Sequence, residues 1–420
     1  MRVIADLHIH SRFSRATSKT LTIANLEKYA RIKGVNLIGT GDFTHPSWLN
    51  ELKKELKEKD GILKTKTGFN FILQAEISNI YSQDGKLRKI HNVILAKNFA
   101  VVEQINELLS KKGKLASDGR PIFGSYSCIE LVDDLMAIDK DIEIIPAHVW
   151  TPWFAIFGSM SGFNSVEECF EDKAKYIHAL ETGMSSDPAM NWRLSRLDKF
   201  TLISNSDLHS YWPWRIGREA NVFELKEVTY ENVINAIRTR KNFLFTIEVD
   251  PGYGKYHYDG HRACSVCMSP AESVKNKDIC PKCGRKLTIG VAHRIEELAD
   301  RKEGFVPKDA VPFKSLIPLS EIIAKLIGCA SLSTQKVWVE YYRLVREGKT
   351  ELDILLETPL DELKKLTDEK IAEAIIANRE GKIKIQPGYD GEYGYPVFSE
   401  KDIKEVKEIK KAQKGLGEFM

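Results

Sequence analysis

Short runs of apolar residues alternate with amphipathic segments over the first half of the chain. The runs have the length and the β-branched content of strands, and the segments between several of them have the period of a helix. This alternation predicts an α/β fold with a mostly parallel sheet. Seven such runs with their crossovers suggest a barrel, and they cover residues 3–7, 36–40, 71–75, 92–96, 143–147, 177–182 and 201–205.

Several helices are marked by their ends or by their period. Residues 23–33 follow Thr22, a suitable N-cap, and stop before Gly34, and another helix begins at Pro46. Beyond residue 318 the pattern turns helical, with predicted helices at 319–328, 334–347, 359–366 and 368–379. We expect a helical core that contains Trp338, Tyr341, Tyr342 and Leu344, and a solvated helix at 401–414.

The composition limits the class of protein. At 420 residues the chain exceeds what one hydrophobic core usually organises, so we expect domains at 1–248, 249–312 and 313–420. It is 43% hydrophobic and 29% charged without a long apolar segment, which predicts a soluble, cytoplasmic protein with no membrane partner. A formal net charge of +3 is too small to indicate a nucleic-acid partner by itself.

His, Asp and Glu residues recur where the predicted strands end. A parallel barrel presents its chemistry at the carboxyl ends of its strands, and buried ionisable groups are costly unless they are paired or bind a metal. The pattern therefore predicts a metal centre, although His91 precedes its apolar run instead of following it. The candidate ligands are His8, His10, Asp42, His45, Glu76, His91, His148, Asp207 and His209, of which Glu76, Asp207 and His10 are expected to be essential for catalysis.

The ligand types restrict the metal and the reaction. Imidazole and carboxylate without thiolate suit zinc, manganese or iron, whereas calcium or magnesium alone would use fewer histidines. A shared carboxylate, for which Glu76 is the candidate, holds two ions roughly 3.5 to 4 Å apart and so favours in-line phosphoryl displacement. We expect a metal-dependent phosphoesterase with two or three divalent ions, which would be zinc, manganese, iron or magnesium.

Four of the seven cysteines form a second constellation. Cys264, Cys267, Cys280 and Cys283 repeat the Cys-x-x-Cys spacing, which is typical of one structural zinc in a reducing compartment. Such a zinc ribbon either fixes a loop against the barrel or binds nucleic acid, and nearby basic residues favour the second role. The other three, Cys128, Cys169 and Cys329, are expected to be small buried apolar residues.

The N-terminal part resembles the polymerase-and-histidinol-phosphatase (PHP) superfamily over roughly residues 1–245. The resemblance is carried by Asp-Leu-His8-Ile-His10-Ser, Gly-Asp42, Glu76, His91, His148 and Asp207-Leu-His209. It implies a distorted seven-stranded barrel with one metal held by His8, His10, Glu76 and Asp207 and a second held by Glu76, His91 and His148. For a third metal it implies Asp42 and His209. His45 is the weaker candidate, because family members usually have the sequence Thr-Asp-His, whereas here His45 stands three residues beyond Asp42.

The order of barrel, four-cysteine ribbon and helical tail resembles the endonuclease Q family over nearly the whole chain. The segments Gly41-Asp-Phe-Thr-His-Pro-Ser-Trp48 and Pro387-Gly-Tyr-Asp-Gly-Glu-Tyr-Gly394 add to this likeness. It implies a DNA repair endonuclease that nicks on the 5′ side of a deaminated base, such as uracil, hypoxanthine or xanthine, or of an abasic site, and leaves a 3′-hydroxyl. Its partner would be double- or single-stranded DNA that contains damaged bases, and it would rotate the base out of the duplex.

Other interpretations remain open on the sequence. A small-molecule phosphomonoesterase of the histidinol-phosphatase type would use the same barrel but would not need the ribbon and helices, and a non-catalytic DNA-binding accessory is the third class. The loop at 386–395 either stacks on bases or packs against the barrel. Rim residues such as Trp150, Trp153, Trp212 and Trp214 either contact DNA or pack, and the candidate DNA-binding residues are Arg12, Arg215, Arg218, Arg285 and Lys286.

Overall fold

A computed structural model describes residues 1–346 and 348–398. The predicted solvated helix at 401–414, and Glu347 at the end of the predicted helix 334–347, lie outside these residues. No helix in the described part of the chain is long and apolar enough to cross a lipid bilayer.

In the described part of the chain, most strands belong to one large mixed sheet, and three strand pairs stand apart from it. The strands are β1 (Arg2–Asp6), β2 (Leu37–Gly39), β3 (Lys57–Lys59), β4 (Ile62–Lys64), β5 (Asn70–Gln83), β6 (Lys86–Ala96), β7 (Ile122–Gly124), β8 (Glu143–Pro146), β9 (Ala179–Glu181), β10 (Thr201–Ile203), β11 (Ala220–Glu224), β12 (Phe243–Glu248), β13 (Asp259–His261), β14 (Val266–Met268), β15 (Phe313–Ser315), β16 (Lys384–Gln386) and β17 (Tyr395–Val397).

Seven of these strands, the seven predicted from the sequence, enclose one apolar core. β1, β2, β5, β6, β8, β9 and β10 each send at least one fully buried side chain into it, among them Leu37, Ile72, Ile145 and Ile203. Hydrogen bonds outside the ladders join β8 to β9, through Val149 N–H to the Glu181 carbonyl, and β10 to β1, through an isolated bridge between Leu208 and Ile9. The fold is therefore the predicted α/β type, a distorted seven-stranded barrel.

The sheet contains more antiparallel pairs than the sequence predicted. β6 runs antiparallel to both β5 and β8 because it folds back from β5 through a tight turn. That turn is Asp84-Gly85, with φ of 53° and 69°, the pair of left-handed residues that a two-residue hairpin requires. β11 and β12, which carried no prediction, extend the sheet beside β1, and β15 pairs with β12.

The helices cover the barrel and form most of the C-terminal part. They are α1 (Ile23–Lys33), α2 (Pro46–Glu55), α3 (Phe99–Ser110), α4 (Cys128–Ile138), α5 (Val166–Phe170), α6 (Pro188–Asn191), α7 (Tyr230–Thr239), α8 (Pro270–Lys275), α9 (Val291–Leu298), α10 (Leu319–Leu326), α11 (Gln335–Leu344), α12 (Glu351–Leu356), α13 (Leu360–Leu366) and α14 (Glu369–Arg379). In α1 the Thr22 hydroxyl accepts from Asn25 N–H, and Gly34 closes the helix at φ 99°, as predicted.

The C-terminal helices pack around buried residues of α11. Tyr341 and Leu344 are fully buried and Trp338 packs against the core, as predicted, whereas Tyr342 is 45% exposed. Among the cysteines expected to be buried, Cys128 and Cys169 are, and Cys329 is half-buried. A short antiparallel hairpin, β13–β14, carries the first two cysteines of the predicted ribbon on or beside it.

Candidate metal centre

The ends of the barrel strands bring most of the predicted ligands together. His8 and His10 follow β1, Glu76 lies within β5, and Asp207 follows β10. Their ligand atoms lie within 4.8 Å of one another. His10 Nε2 is 3.2 Å from Glu76 Oε2 and 3.1 Å from Asp207 Oδ1, and His8 Nε2 is 3.6 Å and 3.8 Å from the same two oxygens.

A second group shares the Glu76 carboxylate. Its other oxygen, Oε1, is 2.8 Å from His91 Nδ1 and 3.3 Å from His148 Nε2. Each of the two Glu76 oxygens thus faces two histidines. This is the arrangement of a bridging ligand between two cation sites.

The donor atoms of the first group fit a metal ion. His8 Nε2, His10 Nε2 and Asp207 Oδ1 are buried, and although both nitrogens face the oxygen, at 3.8 Å and 3.1 Å, none of the three atoms makes a hydrogen bond of good geometry within residues 1–346 and 348–398. Buried polar atoms without a partner are costly, and a divalent cation bound between them would remove that cost. The residues therefore fit the divalent ions expected from the sequence.

Each histidine of the first group is held by a carboxylate on its other side. His8 Nδ1 is 3.0 Å from both oxygens of Glu181, and His10 Nδ1 is 3.0 Å from Asp42 Oδ1. A carboxylate at Nδ1 fixes the ring orientation and leaves Nε2 to bind a metal. Glu181 also accepts from the His148 backbone N–H, so it supports both groups.

The charges of the cluster shift the pKa values of its members. Burial raises the pKa of Glu76, but His91, Arg120 and His8 outweigh burial and hold that pKa well below its usual value. Burial lowers the pKa of His91 to about 4, so this imidazole is neutral at pH 7. Neutral imidazole and ionised carboxylate are the forms that bind metals, so His91 and Glu76 are ready to bind. Burial lowers the pKa values of His8 and His10, but Glu181 and Asp42 outweigh burial and raise them, so a metal would displace the protons of these two imidazoles.

Three residues at the strand ends have strained backbones. Asp42, His148 and Asp207 have φ angles of 44°, 31° and 45°. Non-glycine residues rarely adopt positive φ, and such strain clusters at functional sites. It marks the same edge of the barrel as the side-chain cluster.

The predicted third-site residues are not arranged alike. Asp42 Oδ2 accepts from Ser11 N–H, Ser11 Oγ and Ser14 Oγ, so its carboxylate is occupied by protein donors. The His45 ring stacks on Phe13 with centroids 4.3 Å apart and lies outside both groups of ligand atoms. His209 is near, with its ring centroid 4.8 Å from that of His10, but it also lies outside both groups.

Two charged residues at the site were missed from the sequence. Glu181 is the last residue of β9 and lies near the end of the predicted strand 177–182, so the rule that found the other acids at strand ends could have found it. Arg120 donates to Glu76 Oε2 at 3.0 Å from a loop, and no local pattern marks it. Its guanidinium is 27% exposed and is the one cation of the rim, within the described residues, that bonds to the bridging carboxylate.

The predicted DNA-binding residues lie in different settings. Arg12 donates to Glu51, Arg218 donates to the Ser206 carbonyl beside Asp207, and Arg215 is half-buried on the same loop. Arg285 and Lys286 are exposed in the cysteine-containing segment. Among the rim tryptophans, Trp150 is buried, Trp153 is 39% exposed, and Trp212 and Trp214 stack on each other with centroids 5.2 Å apart.

The cysteine-containing segment brings three of the four predicted thiols together. The Sγ atoms of Cys264, Cys280 and Cys283 form a group of candidate ligands with His261, and Cys267 lies outside it. The loop at 386–395 packs on this segment: Tyr389 is buried and bridges to Tyr258, and Asp390 accepts from Arg262 N–H and Thr288 Oγ1.

Known proteins resemble this chain over different lengths. The MJ0043 C-terminal domain family matches residues 318–382. Uncharacterised protein MJ0043 of Methanocaldococcus jannaschii is 34% identical over 268 residues, and the chain spans about a third (33%) of its length. Uncharacterised protein YqxK of Bacillus subtilis is 28% identical over 411 residues, 94% of this chain and 98% of that protein.

Two solved structures are similar over nearly the whole chain. The lesion-specific endonuclease PfuEndoQ of Pyrococcus furiosus is 34% identical, with a TM-score of 0.85 over 95% of this chain and 96% of that one. Endonuclease Q in complex with a 27-mer duplex substrate with an abasic lesion at the active site is also 34% identical, with a TM-score of 0.84 over 96% and 98%.

The fold and the cluster define the class as an α/β barrel protein with a candidate metal centre. Identity of 34% along almost the full length of both chains then narrows the class to one family. The chain belongs to the endonuclease Q family, and it is an endonuclease.

Proposed function

We propose that this protein cleaves DNA on the 5′ side of a deaminated base or an abasic site and leaves a 3′-hydroxyl. The observation that carries the proposal is the convergence of His8, His10, Glu76 and Asp207 in a chain that matches endonuclease Q from end to end. The duplex with an abasic lesion bound by a 34% identical relative supports DNA as the substrate.

Two ions suit the site, one for each group of ligand atoms. His8, His10, Glu76 and Asp207 would hold the first, and Glu76, His91 and His148 the second. When bound, such a pair supplies an activated water molecule and neutralises charge on the phosphoryl oxygens. Because the Asp42 oxygens are taken by Ser11, Ser14 and His10, a third ion is less well supported.

Residues of this chain prepare the site for a phosphodiester. Glu181 and Asp42 fix the imidazole orientations, which reduces the reorganisation needed when the substrate binds. Arg120, partly exposed beside Glu76, is placed to contact a phosphate oxygen, because a guanidinium pairs well with phosphate.

A cleft beside the barrel is a suitable place for a flipped base. Its volume is about 990 Å³, and it lies where the barrel rim meets the cysteine-containing segment. Its walls carry aromatic and polar groups, including Trp153, Ser161, Tyr256 and Thr288. The neighbouring Phe154 contacts the His91 ring, with centroids 4.5 Å apart, so one loop connects the cleft with the metal cluster.

The three segments of the chain would then have separate roles. We propose that residues 1–248 form the catalytic barrel, 249–312 a zinc-binding unit and 313–420 a helical unit. A cytoplasmic location, where free thiols stay reduced, accords with this division.

The test is a nicking assay on labelled duplexes that contain uracil, hypoxanthine, an abasic site or no lesion. Substitution Glu76→Gln removes the bridging charge. We expect it to reduce cleavage by more than about 100-fold, because loss of a ligand should cost more than loss of a residue that only hydrogen-bonds to a ligand. Gel position of the product gives the side of cleavage, and extension by a polymerase detects the 3′-hydroxyl.

Glu143→Gln is the matched control. Glu143 is also fully buried in a barrel strand and contacts a histidine and an arginine, His178 and Arg238, but it lies at the start of β8 and outside the cluster. Equal loss in both variants would show a folding effect. Cleavage of undamaged and damaged duplexes at one rate, or turnover of para-nitrophenyl phosphate alone, would contradict the proposal.

A further inference from the structure

The fourth ligand of the zinc site follows from the strand register of the β13–β14 hairpin. In this antiparallel pair His261 lies opposite Val266, and Gly260 lies opposite Cys267. Residues directly opposite each other share a face, and successive residues alternate between faces. His261 and Val266 therefore point to one face of the hairpin and Cys267 to the other.

The thiols of Cys264 and Cys280 lie on the same face of the hairpin as Val266. Val266 is buried against Cys280 and Leu287, and Cys264 packs on the same small cluster. On the opposite face the Tyr389 ring lies so close to Gly260 that an added Cβ would meet it at 2.3 Å. Cys267 shares this face with Gly260, so its side chain lies on the tyrosine side of the hairpin.

The backbone shows the same division. In the downstream Cys280-x-x-Cys283 turn, the residue after the second cysteine is Gly284, whose φ of 73° is left-handed. The upstream equivalent is Ser265, at φ 50°, and it follows Cys264. The ligand pair before it is thus His261-x-x-Cys264, while the residue after Cys267, Met268, remains in strand β14.

We propose that one zinc ion is bound by His261 Nδ1 and the three thiolates of Cys264, Cys280 and Cys283, and that Cys267 is not a ligand. These four ligand atoms lie within 4.8 Å of one another, and His261 Nδ1 is 3.4 Å from Cys283 Sγ. A tetrahedral site with Zn–N near 2.0 Å and Zn–S near 2.3 Å is closed by four such ligands.

Neighbouring groups hold the two ligand turns in place. Lys282 Nζ donates to the Cys264 carbonyl, which ties the two ligand turns together. Asp390 accepts from Arg262 N–H and so holds the upstream turn from outside.

The experiment replaces zinc by cobalt(II) in the full chain. Thiolate-to-cobalt charge transfer absorbs in proportion to the number of thiolates, and the imidazoles and carboxylates of the barrel do not contribute to it. We expect Cys267→Ser to keep the charge-transfer intensity of the parent and His261→Ala to lower metal affinity by at least about tenfold. The barrel variant Glu76→Gln should leave the band unchanged.

His261→Cys keeps the test decisive if His261→Ala fails to fold. It should bind cobalt with four thiolates, and its charge-transfer intensity should rise by about a third over the parent, as four ligating thiolates replace three. If Cys267→Ser loses about a quarter of the intensity while His261→Ala retains all of it, the site has four cysteines and the proposal is overturned.

Discussion

The Asp42 carboxylate is fully engaged by protein donors. One oxygen faces His10 Nδ1, and the other accepts three hydrogen bonds from Ser11 and Ser14. Burial raises the pKa of Asp42, but His10 and these hydrogen bonds outweigh burial, and the pKa stays below its usual value. A charged carboxylate in this place orients the imidazole instead of binding the metal.

Asp42→Asn should therefore weaken the centre without abolishing it. We expect metal affinity and cleavage to fall by about 10- to 100-fold, the usual cost of losing a ligand's partner, and less than in Glu76→Gln. Calorimetric titration with manganese and the nicking rate measure the two effects. Ser14→Ala, which removes one of the donors, is a milder control, and loss as complete as in Glu76→Gln would make Asp42 a direct ligand.

A pH dependence of stability follows from a second buried acid. Burial raises the pKa of Glu248 from 4.5 to about 8, and neighbouring acids such as Asp187 add to this. Between pH 4.5 and 8 the folded state therefore holds a proton that the unfolded state has lost, and stability falls as the pH rises through this window.

Glu248→Gln removes this dependence, because the amide does not titrate. Relative to the parent, the free energy of unfolding of the variant should rise by up to about 1.4 kcal/mol per pH unit between pH 5 and 8. Unfolding in urea measures it. Buried Glu219, whose pKa burial also raises, supplies a remaining slope in both proteins. Parallel stability curves for the two would mean that Glu248 is ionised in the folded protein.

At the scale of elements, the position of His91 has a simple explanation. The other ligands follow their strands because those strands run toward the metal edge, whereas β6 runs the opposite way and begins beyond that edge. A ligand on an antiparallel strand precedes the part of the strand that enters the core. The Asp84-Gly85 pair was the available signal for this reversal.

Local patterns predicted those elements whose stability is local. The α1 bounds came from Thr22 and Gly34, which act within one turn of the helix. β11 and β12 were missed, because β11 is a strand through pairing with β1, which lies about two hundred residues away in sequence, and β12 is a strand through pairing with β11. Cys267 was grouped with the other thiols by spacing alone, and strand register, which spacing does not contain, separates it from them.

The loop that connects His148 with the cleft allows a test of base recognition. Trp153 is 39% exposed on the cleft wall and meets the Tyr256 ring edge-on at 5.5 Å. If it stacks on a flipped base, Trp153→Ala should lower cleavage at uracil and hypoxanthine by about 5- to 150-fold, for about 1–3 kcal/mol of stacking. An abasic site has no base to stack, so its cleavage should stay near that of the parent.

Phe305→Ala controls for the loss of an exposed aromatic ring. Phe305 is 43% exposed, packs on Arg301 and does not line the cleft. The measured quantity is the ratio of kcat/KM for uracil to kcat/KM for the abasic site. A ratio that is unchanged in Trp153→Ala would exclude Trp153 from the base pocket.

At the scale of the whole molecule, a buried ion pair joins the barrel to the C-terminal helices. Lys33 Nζ of α1 is 2.7 Å from Glu351 Oε1 of α12 and 2.9 Å from the Pro213 carbonyl. Tyr341 donates to the other Glu351 oxygen. Beside it Trp338 packs against Trp212 and Trp214, which follow His209 in the chain.

Lys33→Met should cost about 3–5 kcal/mol, because it leaves the Glu351 charge buried without its partner. The double variant Lys33→Met with Glu351→Gln should recover part of that loss, since neither charge is then buried. Urea unfolding followed by tryptophan fluorescence reports on this interface directly. Additive losses in the double variant would show that the two side chains do not stabilise each other.

The placement of β1 between β2 and β11 also bears on how the chain matures on the ribosome. Arg2 pairs with Glu224, and Asp207 completes the ligand group that His8 and His10 begin. At about 5–20 residues per second, the roughly 220 residues between the paired strands take about 10–45 s to be made. During that time one edge of the first strand waits for its neighbour, and no metal can be held by the complete first group. The first strand therefore gains its β11 neighbour, and the first ligand group gains Asp207, only after most of the barrel has been synthesised.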